Sequence, residues 1–203
     1  IMTSIIGAAL AEKGAKAVVV DLDFGGANLH QALGILSPPC SLADFTNRTD
    51  LSLPEMCLET FVPNLSLVAG STGSLYASNI QHWIKQKVIR QIAKIDAEYI
   101  LLDIGAGSSF NQLDYFNLAD EKIIVATPEP LAIQDAYNFI KVALFRKIYK
   151  EMKNVPELKQ AFSAFLSRNS KQAPPTMASI ARIVKENGEI HLERLYKIVH
   201  SLR

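Results

Sequence analysis

A chain of 203 residues, 49% hydrophobic and 20% charged, can bury the core of one α/β domain without disulfides or a structural metal. Its formal net charge of +1 supplies no molecule-wide field to attract DNA or anionic lipid, so composition carries no strong nucleic-acid signal. Two cysteines, Cys40 and Cys57, lack companions at metal-ligand spacing, which suggests free thiols in a reducing cytoplasm, although a bridge between them stays open.

In chain order, residues 2–13 predict a helix rich in Ala, Ile and Leu, stopped by Gly14. This apolar opening has no basic leader of the secretory kind, and no apolar run in the chain reaches membrane-spanning length. Residues 17–22 are a continuous β-branched run, the signature of a strand covered on both faces. The same signature predicts strands at 65–69, 99–104 and 122–127. Between them, residues 79–95 place Ile80, Ile84, Val88, Ile92 and Ile95 on one helical face, and that stripe is expected in the core with Trp83. Residues 131–150 repeat the pattern with Ile133, Tyr137, Ile140, Leu144 and Ile148. Alternating strands and helices imply right-handed crossovers and an α/β, doubly wound, mainly parallel sheet. After residue 150 only helical patterns follow, at 156–167, 175–187 and 189–202, with a polar loop from Ser167 to Pro175. Residues 1–150 are therefore expected as one domain, with 151–203 a helical C-terminal insertion or appendage belonging to it or packed on it.

Three constellations carry chemistry. Asp21 and Asp23 follow the first strand directly and precede Gly25 and Gly26. In an open α/β sheet ligands bind beyond the carboxyl ends of strands, where such acids can hold a metal-bound water or orient an attacking one. A plain turn after a strand accounts for the same residues equally well. The run Tyr99-Ile-Leu-Leu-Asp103-Ile-Gly105-Ala-Gly107 has the form of a second acid-tipped strand, with Gly107 placed to offer a backbone N–H to a phosphate. The run Ala126-Thr-Pro128-Glu-Pro130 stiffens the exit of the fourth strand, and Pro130 suits the first position of the next helix. His30 and His82 have no ligand partners at useful spacing and are not expected to bind metal.

The order and spacing of these motifs resemble the MinD/ParA family of P-loop ATPases over roughly residues 1–145. The stretch from Val20 to Gly34 resembles that family's first switch and Leu101 to Gly107 its second. Thr127 to Pro130, with Ile133 to Asn138, resembles the next strand-helix junction. Members related to the flagellar-number regulators FlhG and FleN are the most similar in texture.

The resemblance implies a P-loop NTPase-like fold and an ATP- and Mg²⁺-dependent switch, a homodimer formed face to face around the nucleotides, and slow hydrolysis. It gives Asp23 the attacking water, Asp21 and Asp103 the magnesium shell through water, and Gly107 the γ-phosphate. Gly105 and Pro128 complete the nucleotide surface. It further implies a Lys-Gly-Gly-x-Gly-Lys-Ser/Thr phosphate loop ahead of the first helix, expected upstream of Ile1, and later strands beyond Arg203. The implied role is spatial regulation, such as cell division or flagellar placement, with a protein partner still to be identified. The basic, amphipathic helix 189–203 suggests peripheral membrane contact, with packing onto the domain or a partner as the plainer reading. Two alternatives stand beside this: an ATP-dependent iron–sulfur carrier, which uses a Cys-x-x-Cys pair not found here, and a non-catalytic interaction protein on the same fold.

Overall fold

Ala17–Asp21 forms β1, and all five of its residues are buried, as a continuous apolar run requires when both faces of a strand are covered. The computed structural model describes residues 1–24, 26–47, 51–71, 82–152, 155, 158, 176–188 and 190–200. Packing divides the chain into two compact units, Ile1–Gly107 and Ser108–Arg203.

The first unit holds a four-stranded sheet in the order β2-β3-β1-β4. Leu65–Val68 is β3 and Tyr99–Asp103 is β4, and both run parallel to β1. The sequence did not suggest β2, a two-residue strand at Leu58–Glu59 that lies antiparallel against β3. Helix α1, Met2–Glu12, buries Ser4, Gly7 and Ala11, a spacing that forms one narrow face. Gly7 sets how close that face comes to the sheet, because a Cβ there would stand 2.8 Å from Val19 Cγ1. The helix stops where Gly14 adopts φ 91° and its amide donates to the Ala11 carbonyl at 2.9 Å. Ala11, Val19, Leu65, Leu67 and Ala69 meet Leu29 and Leu33 in a single cluster. Each fully buried Val or Leu of this kind contributes roughly 1.5–3 kcal/mol. The short helices α2, Leu29–Ala32, and α3, Leu42–Asn47, follow the β1 loop.

Helix α4, His82–Ile92, buries Val88 and Ile92, and Ile95 is buried just beyond it. Trp83, expected in the core with this stripe, is instead 56% exposed. It sits close to half a turn away from Val88 and Ile92, so helical geometry turns it toward solvent. Ile80 and Gly25 lie outside the described residues, as do the start of the predicted helix at 79–81, most of that at 156–167 and the loop from Ser167 to Pro175.

The second unit begins at α5, Phe110–Phe116, opened by a capping box in which Ser109 Oγ accepts from the Gln112 amide. Residues 122–127, predicted as a strand, form none: they pair with no neighbour, and Ile123 and Val125 are 66% and 62% exposed. A β-branched run becomes a strand only when an adjacent strand accepts its ladder, and local preference cannot supply that partner. Helix α6, Pro130–Met152, starts on Pro130 as predicted. Its expected core face is divided: Ile148 is buried, whereas Ile133, Tyr137 and Ile140 are exposed. Helices α7, Met177–Glu186, and α8, Ile190–His200, complete the unit. Leu195 of α8 is buried in a cluster with Ile148, Met152, Leu158, Ile180 and Val184, so this helix packs within its unit. No helix among the described residues is long and apolar enough to cross a membrane.

Candidate functional site

The parallel register places Asp21 opposite Asp103, at the carboxyl ends of β1 and β4. Adjacent strands lie about 4.8 Å apart and register partners point to the same face, so the two carboxylates are neighbours. Asp21 is buried at 1% exposure, and its two oxygens face backbone amides. Oδ1 accepts from the Asp23 N–H and Oδ2 from the Leu29 N–H, each at 3.1 Å. Asp23 and Leu29 are thereby both tied to Asp21, and Leu29 enters α2 with its amide already satisfied.

Asp23 lies above this seat, half-buried. Its Oδ1 accepts from the Gly26 N–H at 3.1 Å, closing a tight turn. On its other side it touches Gly105: a Cβ at Gly105 would stand 2.5 Å from the Asp23 carboxyl carbon. Gly105 also has φ 67° and Gly107 has φ 110°, backbone conformations that L side chains rarely adopt. The two motifs that the sequence placed eighty residues apart are therefore in van der Waals contact. Asp21, Asp23, Asp103 and Gly105 form one cluster, and Gly107 follows on the same loop. Pro128 belongs to the second unit, on an exposed stretch ahead of α6.

Burial holds the Asp21 carboxyl above its ordinary value of 3.8; the Leu29 and Asp23 amides pull it back in part, and the charges of Asp103 and Asp23 push it further up. Because the folded value lies above the unfolded one, ionised Asp21 costs stability, and that cost is relieved as pH falls toward 3.8. A bound cation relieves the same repulsion. Among the described residues no three His, Cys, Asp or Glu side chains converge closely enough to hold a metal directly. A cation at this edge would therefore meet at most two such side chains of the described residues directly.

Sequence reasoning missed Gly70, which follows β3. A Cβ there would lie 2.8 Å from Asp21 Cγ and 2.7 Å from Ala27 Cβ, so the 22–29 segment and Asp21 both depend on its lack of a side chain. A glycine at the carboxyl end of an apolar strand was the available signal. The adjacent Ser71 is buried, with no hydrogen-bond partner for its hydroxyl among the described residues. His30 is buried in α2 with Nδ1 likewise unpartnered, and belongs to no metal-ligand group among the described residues. Cys40 and Cys57 are both free and half-buried.

A family model of the ParA group, described as the NUBPL iron-transfer P-loop NTPase, matches residues 1–170. The flagellum site-determining protein YlxH of Helicobacter pylori is 30% identical over 195 residues, covering 95% of this chain and 56% of that protein. The septum site-determining protein MinD of Synechocystis is 33% identical over 145 residues, covering 66% of this chain and 50% of that protein. Among solved structures, the septum site-determining protein MinD complexed with Mg-ADP from Pyrococcus horikoshii superposes with a TM-score of 0.57 at 25% identity, over 66% of this chain and 54% of that one. The chain thus spans about half the length of the curated relatives it matches.

Proposed function

The chain belongs to the ParA family of P-loop NTPases, close to its MinD-like, site-determining members, and from that membership we propose that the protein is an ATP-binding, ATP-hydrolysing switch. In this reading it dimerises through its nucleotide face and, with a protein partner, sets the position of a cellular structure such as the flagellum or the division septum. The observation that carries the reading is the contact between Asp23, at the end of β1, and Gly105, after β4. In this reading both loops respond to a nucleotide, and their contact would couple the two responses.

Asp21 and Asp103 would meet magnesium through its bound waters, and Asp23 would orient the water that attacks the terminal phosphorus. Magnesium, when bound, supplies charge neutralisation on the phosphate oxygens. Gly105 and Gly107, with left-handed backbones and no side chains of their own, would offer backbone amides to a phosphate. Phosphoryl transfer asks little of a protein beyond such positioning and charge stabilisation.

The test is ATP hydrolysis by the full-length protein, alone and as Asp23→Ala. The expected outcome is magnesium-dependent turnover that falls about a hundredfold in the variant while ATP is still bound. Turnover unchanged by Asp23→Ala would remove this carboxylate from the reaction.

A second reading, an ATP-dependent iron–sulfur carrier, is favoured by the iron-transfer description of the matching family model. Cys40 and Cys57 are not spaced as a Cys-x-x-Cys pair, so the cluster would need thiols from elsewhere. Anaerobic reconstitution with iron and sulfide separates the two: cluster absorbance would favour the carrier, and its lack favours the switch.

A further inference from the structure

Two features of the seat beneath Asp23 have no part in the reading above. Both oxygens of Asp21 accept from amides of the segment that carries Asp23, one at Asp23 itself and one at Leu29. Gly70, from a third strand end, leaves no space behind that carboxylate: its own Cβ would come within 2.8 Å of Asp21 Cγ and 3.0 Å of the Asp21 carbonyl oxygen. The arrangement has an acceptor on each arm and a wall behind. Only a carboxylate meets two N–H donors in this way, because an amide would turn an NH₂ group toward one of them.

The geometry points to Asp21 and Gly70 as positioning residues that act through the 22–29 segment to place Asp23, leaving Asp103 as the carboxylate that meets the magnesium waters. This rests on the nucleotide-switch reading and narrows the part of Asp21 within it. Asp21 is 1% exposed, and each of its carboxylate oxygens already accepts a charge-assisted hydrogen bond from the backbone. Asp103 is less enclosed and accepts the Leu22 amide only on its backbone oxygen, at 2.7 Å.

Three variants of the full-length protein decide the matter: Asp21→Asn, Gly70→Ala and Asp103→Asn. In the nucleotide-free protein, Asp21→Asn should speed hydrogen exchange at the Leu29 amide about tenfold, the loss expected for one hydrogen bond to a charged acceptor. With ATP, Asp21→Asn and Gly70→Ala should lower kcat while leaving the magnesium concentration for half-saturation at the parent value. Asp103→Asn should instead raise that concentration. The inference is overturned if Asp21→Asn raises the magnesium requirement as far as Asp103→Asn does, or if Leu29 exchange does not change. Should Gly70→Ala fail to fold, the Asp21→Asn arms still decide. A parent protein that binds no ATP would sink the switch reading itself, and the exchange measurement would still report whether Asp21 holds the segment.

Discussion

At the scale of single residues, the site is organised by what glycine leaves out. Gly105 combines a left-handed backbone with a direct approach to the Asp23 carboxyl group. Replacing it with alanine should cost about 1–2 kcal/mol for the backbone alone. The contacting carboxylate ends a short side chain and can swing aside, so steric overlap adds little to stability and much to the displacement of Asp23. Chemical denaturation of Gly105→Ala checks this. An unchanged midpoint would mean that the loop relaxes into another conformation at no cost. The sequence disclosed this residue as part of a motif. It did not disclose which carboxylate the glycine accommodates, because that follows from a packing contact eighty residues distant.

Among the elements, the second unit depends on a charge pair at its first helix contact. Asp114 of α5 is buried with its side chain 1% exposed, and accepts from Arg146 Nε at 3.0 Å and Arg146 Nη2 at 3.1 Å on α6. Lys150 adds a third contact at 3.2 Å, one helical turn further on. The guanidinium of Arg146 also lies over the Phe110 ring, 4.4 Å from its centre. Bidentate geometry and burial distinguish this pair from the exposed Lys16–Asp96 bridge, which is worth little. Asp114→Ala should destabilise the unit by about 3 kcal/mol, near the lower end for a broken buried pair, since Arg146 and Lys150 retain some access to water. Thermal unfolding followed by circular dichroism measures it, and a loss below that of an ordinary surface substitution would show the pair to be ornamental. Arg146→Lys, which keeps the charge and loses the fork, should fall between the two.

The elements also show where local patterns mislead. Ile123 to Val125 and the row Ile133, Tyr137 and Ile140 have the texture of core, yet they are exposed in their unit. Periodicity reports which residues share a face. It does not report whether anything covers that face. Trp83 differs in kind: its position one residue ahead of Ile84 puts it off the stripe that Val88 and Ile92 define, and angular bookkeeping along α4 would have found this.

For the whole molecule, a formal net charge of +1 gives little long-range attraction to polyanions. Non-specific binding to duplex DNA at physiological salt is expected to be no tighter than about 10⁻⁵ M. Fluorescence anisotropy with a labelled duplex checks this, and substantially tighter binding would reveal a basic patch that the overall charge conceals.

At this scale the sequence alone determined the class of fold, and it placed Asp21, Asp23 and Asp103 at strand ends. Burial on both faces requires a continuous apolar strand, and a carboxylate directly after such a strand has few places to be except the sheet's carboxyl edge. Tertiary structure decided the rest: that Asp21 faces inward onto two amides, that Asp23 rests on Gly105, and that Gly70 belongs to the same site. These are relations between strand ends brought together by parallel pairing, and the lateral order of strands in a sheet is written in no single segment of the chain.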